Sequence, residues 1–391
     1  MHLLYFVEKF PSLSESFVIN ELYELAQRGH DISVFSIHQP DEEITHDEIE
    51  EMNLTVHYGE IPSFSSLPEI VSERVLNLSV LQRAAFIDDP LYNAHCLHLG
   101  KQVIEAVEAE GRVDLIHAHF AAQNRLAVTH AAAYLNIPCT VTAHATEIFS
   151  DPDIQRLRRV CSRFDHVVVP SEYNKRYLRE EIGVDTEMSV VPATTDVEKF
   201  EPSADCVSGR LLTVARLVEK KGHEYAIDAV AQLVEQGYDV EYHIVGSGER
   251  EEFLRERVRE RGVEAYVEFL GHVSDERLNR ELQEAELFVL PCVVTADGDR
   301  DITPVALREA MATATVCVST TISAIPEVIT DGHDGVLVEP NDAEAVASAV
   351  SGLLDDPSRR EELAQNARET IETEFDIRIA VDKLEKIFDS V

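Results

Sequence analysis

Short apolar runs alternate with stretches of helical periodicity along most of the chain, and this alternation limits the fold more than any other feature. The runs are rich in Val, Ile, Leu and Phe, as strands that are buried on both faces should be. They lie at residues 3–7, 32–37, 113–117, 139–142, 166–169 and 188–191, and then at 211–214, 241–245, 267–269, 287–290 and 316–319. The pattern predicts an α/β chain with two doubly wound parallel sheets, each covered by helices on both faces.

The periodicity breaks near residues 198–208, where Pro, Ser and acidic residues interrupt it. We therefore predict two domains, at residues 1–203 and 204–371. A chain of 391 residues is long enough for both to have full cores. The apolar spacing of residues 372–391 is that of one more amphipathic helix.

Acidic residues outnumber basic residues by 73 to 34, which gives a formal net charge of −39. Such a surface excludes attraction to nucleic acid or to an anionic membrane through a basic field. Only eight of the basic residues are lysines. An acidic excess with few lysines is typical of proteins from a high-salt cytoplasm, so we expect a halophilic protein.

The six cysteines are scattered, without a Cys-x-x-Cys pair or a nearby histidine at ligand spacing. This spacing predicts neither a metal site nor a disulfide framework and favours a reduced, intracellular compartment. The apolar run at the N-terminus is too short for a signal peptide, and no run of about 18 apolar residues follows. We expect a cytoplasmic protein whose contact with the inner face of a membrane is at most peripheral.

A helix start with free amides is predicted within the segment 297–340. Thr303 is suited to cap the helix, and Pro304 to occupy its first position, where the missing N–H costs nothing. The amides of Val305 and Ala306 would then be free. Because the helix dipole favours anions at this end, a diphosphate is a natural ligand there.

The carboxylates of Asp301 and Glu309 would flank this anion, although an ordinary amphipathic helix with one exposed acid accounts for the same residues. The segment resembles the signature of retaining glycosyltransferases of family 4, also called group 1, and especially the branch that builds exopolysaccharides of the colanic-acid type. Asp301 stands where that family has Glu, and Glu309 opens the matching sequence Glu-Ala-Met-Ala. The sequences at 326–329 and 331–335 match its later part.

The sequence also departs from the family signature at several positions. Ala314 and Val316 replace Gly and Pro, and Ser323 and Ala324 replace a Gly-Gly pair. The Pro-Asn-Gly that the family has before the domain junction is replaced by Pro-Ala-Thr at residues 192–194. A side chain in place of glycine can block the approach of a backbone to the donor.

The resemblance implies the GT-B fold, in which two Rossmann-like domains face a cleft. Residues 1–203 would form the acceptor-side domain, 204–371 would bind the nucleotide sugar, and the helix at 372–391 would cross back onto the first domain.

A loop after a predicted strand matches the family's Arg-Leu-x-x-Lys-Lys-Gly. By this resemblance Arg216 and Lys221 would neutralise the diphosphate, whereas Lys220 would be exposed. On an ordinary surface loop, such cations would simply be solvated. The resemblance adds a set of donor-binding residues, for which simple turns or a helix start are the alternative: Gly246, Gly248, His272, Val273, Thr303, Val305, Ala306 and Glu309.

Polar residues follow two strands of the first domain, at the edge where open α/β sheets bind ligands. Among them are His119 and His144, each of which could instead be a structural histidine. Their segments resemble the family's His-x-His-Phe and Thr-Ala-His. The resemblance implies that both are catalytic, together with Asp301 and Glu309.

Near the N-terminus, Ser12 and Glu15 have the spacing of a helix capping box. The surrounding sequence also resembles a segment that faces the cleft in the same branch of the family. Ser14, Glu15, Ser16 and Asn124 would therefore lie on the acceptor side.

The resemblance implies a hexosyltransferase that moves a sugar from a nucleotide diphosphate sugar to an acceptor hydroxyl with retention, in the synthesis of a cell-surface polysaccharide or glycoconjugate. Glu309 would bind the ribose, and Asp301 would bind hydroxyls of the sugar. Neither a cofactor nor a metal is required, no nucleic acid takes part, and the acceptor could be a lipid-linked glycan. Two alternatives are a non-catalytic scaffold with a drifted donor pocket and a nucleotide-sugar epimerase or hydrolase.

Overall fold

The computed structural model describes residues 1–12, 16–40, 47–52, 54–60, 90–149, 153–203 and 206–391. The chain forms two compact units, of which the first is Met1–Pro192 with Ala380–Val391 and the second is Ala193–Ile379. The sequence-based boundary at 203/204 lies later than the boundary at 192/193, because Thr195 already pairs with Asp376 inside the second unit. The functional roles predicted for the two domains stay predictions.

The first unit contains a sheet of seven described strands in the order β3-β2-β1-β4-β5-β6-β7, and all neighbours are parallel. The strands are β1 (His2–Lys9), β2 (Asp31–His38), β3 (Thr55–Tyr58), β4 (Leu115–His119), β5 (Cys139–Thr142), β6 (His166–Val169) and β7 (Met188–Val190). All five residues from Leu3 to Val7 are completely buried, as expected of a strand covered on both faces.

The second unit contains a parallel sheet of six described strands in the order β10-β9-β8-β11-β12-β13. The strands are β8 (Arg210–Val214), β9 (Glu241–Val245), β10 (Val267–Gly271), β11 (Leu287–Val289), β12 (Val316–Thr320) and β13 (Val336–Val338). Along β12, Val316 and Val318 join one apolar core while Cys317 joins the other. A core therefore lies on each face of this sheet, and the predicted α/β class with two doubly wound sheets is confirmed.

The described helices connect these strands. They are α1 (Ser16–Gln27), α2 (Asp47–Met52), α3 (Pro90–Glu110), α4 (Leu126–Leu135), α5 (Ala145–Phe149), α6 (Ile154–Cys161), α7 (Glu172–Tyr177), α8 (His223–Glu235), α9 (Glu251–Arg261), α10 (Asp275–Glu284), α11 (Val305–Ala312), α12 (Ala343–Asp355), α13 (Pro357–Thr370) and α14 (Ile377–Ser390). The last helix begins in the second unit and belongs to the first from Ala380 onward. None of the helices in the described ranges is long and apolar enough to cross a membrane.

One predicted strand is displaced, and its displacement moves a candidate site residue. The strand predicted at 113–117 runs from Leu115 to His119. Asp114 lies just before the strand, and its carboxylate accepts a hydrogen bond from the His2 amide, at 2.8 Å. His119 is consequently the last residue of β4.

Candidate active site

His119 and His144 meet at the carboxyl edge of the first sheet. His119 lies beside Thr142 in the register of β4 and β5, and His144 follows two residues after β5 ends. Nδ1 of His119 lies 3.1 Å from Nε2 of His144, and the two rings are stacked. Burial lowers the pKa of His144 well below its usual value, with a smaller contribution from His119. His144 is therefore neutral at pH 7 and able to accept a hydrogen bond.

A carboxylate on α1 lies on the far side of His119. Glu21 Oε1 is 3.4 Å from Nε2 of His119, which is only 1% exposed. The Tyr5 hydroxyl donates to the same oxygen at 2.6 Å. The Glu21 carboxylate favours a proton on Nε2 of His119 and leaves its Nδ1 to accept from His144. Sequence reasoning missed Glu21 because α1 and β4 are far apart along the chain.

Glu147 holds the two strand ends together. Its Oε1 accepts hydrogen bonds from the amides of His144, at 2.6 Å, and Ala121, at 2.7 Å. Burial raises its pKa to about 7. The sequence carries a signal for one of these bonds, because a Glu three residues after the helix cap is half of a capping box.

The backbone between these contacts is strained. Phe120 has a φ of 64°, an uncommon value for an aromatic residue. Its amide donates to the Thr142 carbonyl at 2.8 Å, and its ring centroid is 4.4 Å from that of His144. Positive φ at a bulky residue costs free energy, and the contacts on both sides hold it in place.

Of the four predicted acceptor-side residues, Asn124 has a described side chain, and it lies beside Glu8 and Arg125. Asn124 donates from Nδ2 to Glu8 Oε2 at 2.8 Å, and the buried Arg125 forms an ion pair with the same carboxylate. Ser14 and Glu15 lie outside the described residues. Ser16 begins α1, and its side chain is likewise not described.

In the second unit, neighbouring strands bring together two predicted donor residues. Because β8 and β11 are adjacent and parallel, the segments after their carboxyl ends meet. Lys221, from the loop after β8, places its Nζ 2.8 Å from Oδ2 of Asp301, which follows β11. Burial alone would lower the pKa of Lys221, but the Asp301 carboxylate more than offsets this and the pKa is raised. Arg216 on the same loop is exposed.

Lys220 corrects a prediction, because it is buried rather than exposed. Its side chain is 9% exposed, and its Nζ lies 3.0 Å from Oδ1 of Asp299. Its carbonyl accepts from the Val293 amide at 2.9 Å. Lys220 therefore ties the β8 loop to the segment after β11, and a contact across 79 residues gives no local signal in the sequence.

Helix α11 begins one residue later than predicted. Pro304 has a ψ of 127°, so it is the cap and Val305 is the first helical residue. No side chain caps the helix, and the predicted cap by Thr303 is wrong; the Thr303 carbonyl instead accepts from Nη2 of the buried Arg308, at 3.1 Å. Within the described residues, the amides of Val305 and Ala306 have no hydrogen-bond acceptor.

Glu309 is a partly buried carboxyl for which the described residues provide no hydrogen-bond or ion-pair partner. Burial raises its pKa to about 7, partly offset by the charge of Arg308. Such a carboxyl is suited to bind hydroxyl groups of a ligand. Of the other predicted donor residues, His272 is exposed and Val273 is partly buried after β10.

The glycines of the turn after β9 have a packing role. A Cβ on Gly246 would lie 2.0 Å from the carbonyl oxygen of Ala215, and one on Gly248 would lie 2.5 Å from that of Leu217. The turn thus packs directly against the backbone that carries Arg216, and the Leu217 amide donates to the Ser247 carbonyl at 3.0 Å. The predicted contact of these glycines with a donor stays a prediction.

Comparison with known families accounts for nearly the whole chain. The family model described as Glycosyltransferase Family 4 matches residues 14–199, and the model described as Glycosyl transferases group 1 matches residues 198–370. The chain belongs to the family 4, group 1 glycosyltransferases. The predicted family and the predicted enzyme class are therefore confirmed.

Curated relatives match this glycosyltransferase over nearly its full length. The amylovoran biosynthesis glycosyltransferase AmsK of Erwinia amylovora is 29% identical, over 100% of this chain and 99% of the relative. The putative colanic acid biosynthesis glycosyltransferase WcaL of Escherichia coli K12 is 28% identical, over 96% of each chain.

Solved structures confirm the GT-B class of fold. Anabaena HepE in complex with UDP matches with a TM-score of 0.78 and 17% identity over 100% of both chains. A glycosyltransferase from Rickettsia africae matches with a TM-score of 0.74 and 16% identity, over 100% of this chain and 98% of the other.

Proposed function

We propose that this glycosyltransferase moves a sugar from a nucleotide diphosphate sugar to an acceptor hydroxyl with retention, during exopolysaccharide synthesis. The observation that carries the proposal is the pairing of Lys221 with Asp301 beside the loop of Arg216, after two adjacent strands of the second sheet. The names of AmsK and WcaL, both biosynthesis glycosyltransferases of exopolysaccharides, support the pathway.

The cations and free amides suit a leaving diphosphate. Negative charge grows on the leaving phosphate in the transition state, so Arg216, Lys221 and the amides of Val305 and Ala306 would stabilise that state more than the ground state. Lys221 is mostly buried and already held by Asp301, and therefore needs little reorganisation to act.

The two acids would bind different parts of the donor. Glu309 has no partner among the described residues and would accept hydrogen bonds from the ribose. Asp301 has one oxygen paired with Lys221, which leaves the other for hydroxyls of the sugar. In the first unit, the neutral His144 would accept a hydrogen bond from the sugar or the acceptor.

The proposal is tested by incubating the full chain with a panel of nucleotide sugars and measuring nucleotide release and product. UDP-sugars come first in the panel, because HepE was solved with UDP. NMR of the product identifies its anomeric configuration, and inversion would contradict retention. Acceptors in the panel should include a lipid-linked glycan.

We predict that Arg216→Ala and Glu309→Ala each reduce transfer about 10²–10³-fold, as removal of a group that stabilises the transition state typically does. Arg280→Ala is the matched control, since Arg280 is an exposed arginine on α10. Unchanged transfer in either test variant, with the control active, would remove that residue from the site.

The substitution Asp301→Glu restores the acid that the family usually has and tests the sugar assignment. The side chain grows by one methylene, so we expect the donor preference to change. A purely structural Asp301 would leave the preference among nucleotide sugars unchanged.

A non-catalytic scaffold is the second candidate, favoured by the side chains at positions where the family has glycine. Ala314 and Ser323 keep positive φ values, of 57° and 52°, without being glycine. Absence of nucleotide release and of donor binding across the whole panel would favour this scaffold. Release without any acceptor product would instead favour a hydrolase.

A further inference from the structure

A buried histidine surrounded by carboxylates lies in the second unit, in the middle of β9. His243 is paired in register with Glu268 of the edge strand β10, and its side chain is 4% exposed. Glu241, the first residue of β9, and Glu281 of α10 complete the cluster. The predicted donor residues follow the carboxyl ends of the strands, whereas Glu241 is the first residue of β9 and Glu268 the second residue of β10. This cluster is therefore distinct from the predicted donor residues.

Glu281 determines which nitrogen of His243 carries the proton. Its Oε2 lies 2.6 Å from Nδ1 of His243, and Glu281 is completely buried. This bond favours the proton on Nδ1 and leaves the lone pair on Nε2. A carboxylate behind one ring nitrogen is the usual arrangement behind a histidine that binds a metal through the other.

The free nitrogen faces two carboxylates. Nε2 of His243 lies 3.2 Å from Oε1 of Glu241 and 3.7 Å from Oε2 of Glu268. It is buried and makes no hydrogen bond within the described residues. An N–H group that points straight at an oxygen 3.2 Å away would form a hydrogen bond. Because none forms here, the Glu241 oxygen lies to one side of the direction in which Nε2 points. An ion bound along that direction by the Nε2 lone pair would have these carboxylate oxygens beside it as further ligands.

The spacing and charge of the cluster both suit a divalent cation. The three ligand atoms lie within 4.8 Å of one another, and a metal–ligand distance of about 2.1 Å requires only modest contraction. Arg210 pairs with Glu241 and Glu284, and Arg277 pairs with Glu281. With Glu268, which in the described structure pairs only with His243, these are four carboxylates against two guanidinium groups, which leaves two negative charges uncompensated among them. Arg210 binds Oε2 of Glu241 at 2.9 Å and leaves Oε1 for an ion.

We propose that His243, Glu241 and Glu268 bind a divalent first-row transition-metal ion, with Glu281 orienting the histidine and water completing the coordination. One imidazole and two carboxylates favour Mn²⁺ or Zn²⁺ over Mg²⁺. The ion links the edge strand β10 to β9 and has a structural role, independent of the proposed transfer reaction. This proposal revises the expectation, drawn from cysteine spacing, that the chain has no metal site.

The test uses the full chain, stripped with EDTA and titrated with Mn²⁺ in molar KCl, which suppresses weak binding to the acidic surface. Electron paramagnetic resonance measures free Mn²⁺, and we expect one saturable site. Glu268→Gln, an exposed position that tolerates substitution, should weaken binding at least about 10-fold. Glu276→Gln, on the same helix as Glu281, is the matched control and should bind as the unsubstituted protein does.

A second measurement distinguishes coordination from attraction to an acidic surface. Coordination by Nε2 gives a nitrogen coupling in the pulsed spectrum of bound Mn²⁺, and His243→Gln should abolish it. Circular dichroism checks that this variant is folded. If it is unfolded, the Mn²⁺ affinity of Glu268→Gln alone tests the proposal. The proposal is overturned if no saturable site exists, if Glu268→Gln binds normally, or if Glu276→Gln loses binding equally. A histidine held by its hydrogen bond to Glu281, without a bound ion, then explains the cluster.

Discussion

At the scale of single residues, Glu309 is held in surroundings that disfavour its charge. Burial raises its pKa from 4.5 to about 7, and no group in the described structure binds its carboxyl. A folded-state pKa above the unfolded value means that ionisation destabilises the folded state as the pH rises from about 4.5 to 7. A protein keeps such a group when it serves a ligand rather than the fold.

We predict that Glu309→Gln stabilises the folded protein at pH 8 by about 1–3 kcal/mol while reducing transfer. Glutamine stays neutral and so avoids the cost of a buried charge. The stabilisation should decline as the pH falls from about 7 and be lost below pH 4.5, where the Glu309 carboxyl is protonated in both the folded and the unfolded state. Urea unfolding at several pH values measures it. A variant less stable than the unsubstituted protein at pH 8 would show that Glu309 serves the fold.

Two positions where the family has glycine keep a backbone conformation that glycine prefers. Ala314 and Ser323 have φ values of 57° and 52°, whereas Ala324 has an ordinary φ of −104°. The Ser323 hydroxyl is also buried without a hydrogen-bond partner in the described structure. The chain thus carries strain at two of the positions where it departs from the family signature.

We predict that Ser323→Gly raises the free energy of unfolding by about 1 kcal/mol, because it relieves both the left-handed backbone and the buried hydroxyl. Ala324→Gly is the matched control and should lower it by about 0.5–1 kcal/mol. Thermal unfolding measures both. Should Ser323→Gly also increase transfer, the serine limits donor binding. Equal destabilisation by the two variants would contradict the backbone strain inferred at Ser323.

At the scale of elements, the start of α5 joins two strand ends through one carboxyl. Glu147 accepts from the amides of His144 and Ala121, which follow β5 and β4. Both histidines of the candidate site depend on this connection, because one lies at the helix cap and the other ends β4.

We predict that Glu147→Ala destabilises the protein by about 2–3 kcal/mol, because two buried amides lose their acceptor. Glu147→Gln keeps a carbonyl oxygen and should cost less than about 1 kcal/mol. Chemical denaturation measures both variants, and ¹⁵N NMR of His144 reports whether its ring is displaced. Similar losses in the two variants would mean that the charge of Glu147, rather than its acceptor oxygen, stabilises this contact.

At the scale of the whole molecule, the net charge of −39 dominates the electrostatics. Most basic residues are arginines, which can bind carboxylates through two nitrogens. Arg257 and Arg261 both bind Asp228 in this way. These pairs compensate only part of the acidic excess.

We predict that molar KCl raises the melting temperature relative to 0.1 M KCl, because salt screens the repulsion among carboxylates. For domains of this size the gain is about 2–4 °C for each kcal/mol of relieved repulsion. Differential scanning calorimetry measures it. A melting temperature that falls with KCl would mean that the ion pairs outweigh the repulsion, contrary to the expected adaptation to salt.

Much of the fold could be predicted because its signals are local. The predicted bounds of β5, β6 and β9 agree with the structure, since each is a short run that contains β-branched or aromatic residues, which favour strands. The strand β3 was missed because Thr55–Tyr58 is only partly buried and lacks a continuous apolar run. The cap of α11 was mispredicted because sequence does not reveal that Pro304 has an extended ψ.

The sequence by itself determined the α/β class and the family, because these depend on apolar periodicity and on motifs of neighbouring residues. Only the tertiary structure decided which charged groups are paired. It buries Lys220 against Asp299, joins Lys221 to Asp301, and leaves Glu309 without a partner in the described structure. Pairing and desolvation depend on groups that a sheet brings together from distant parts of the chain, and no local pattern records them.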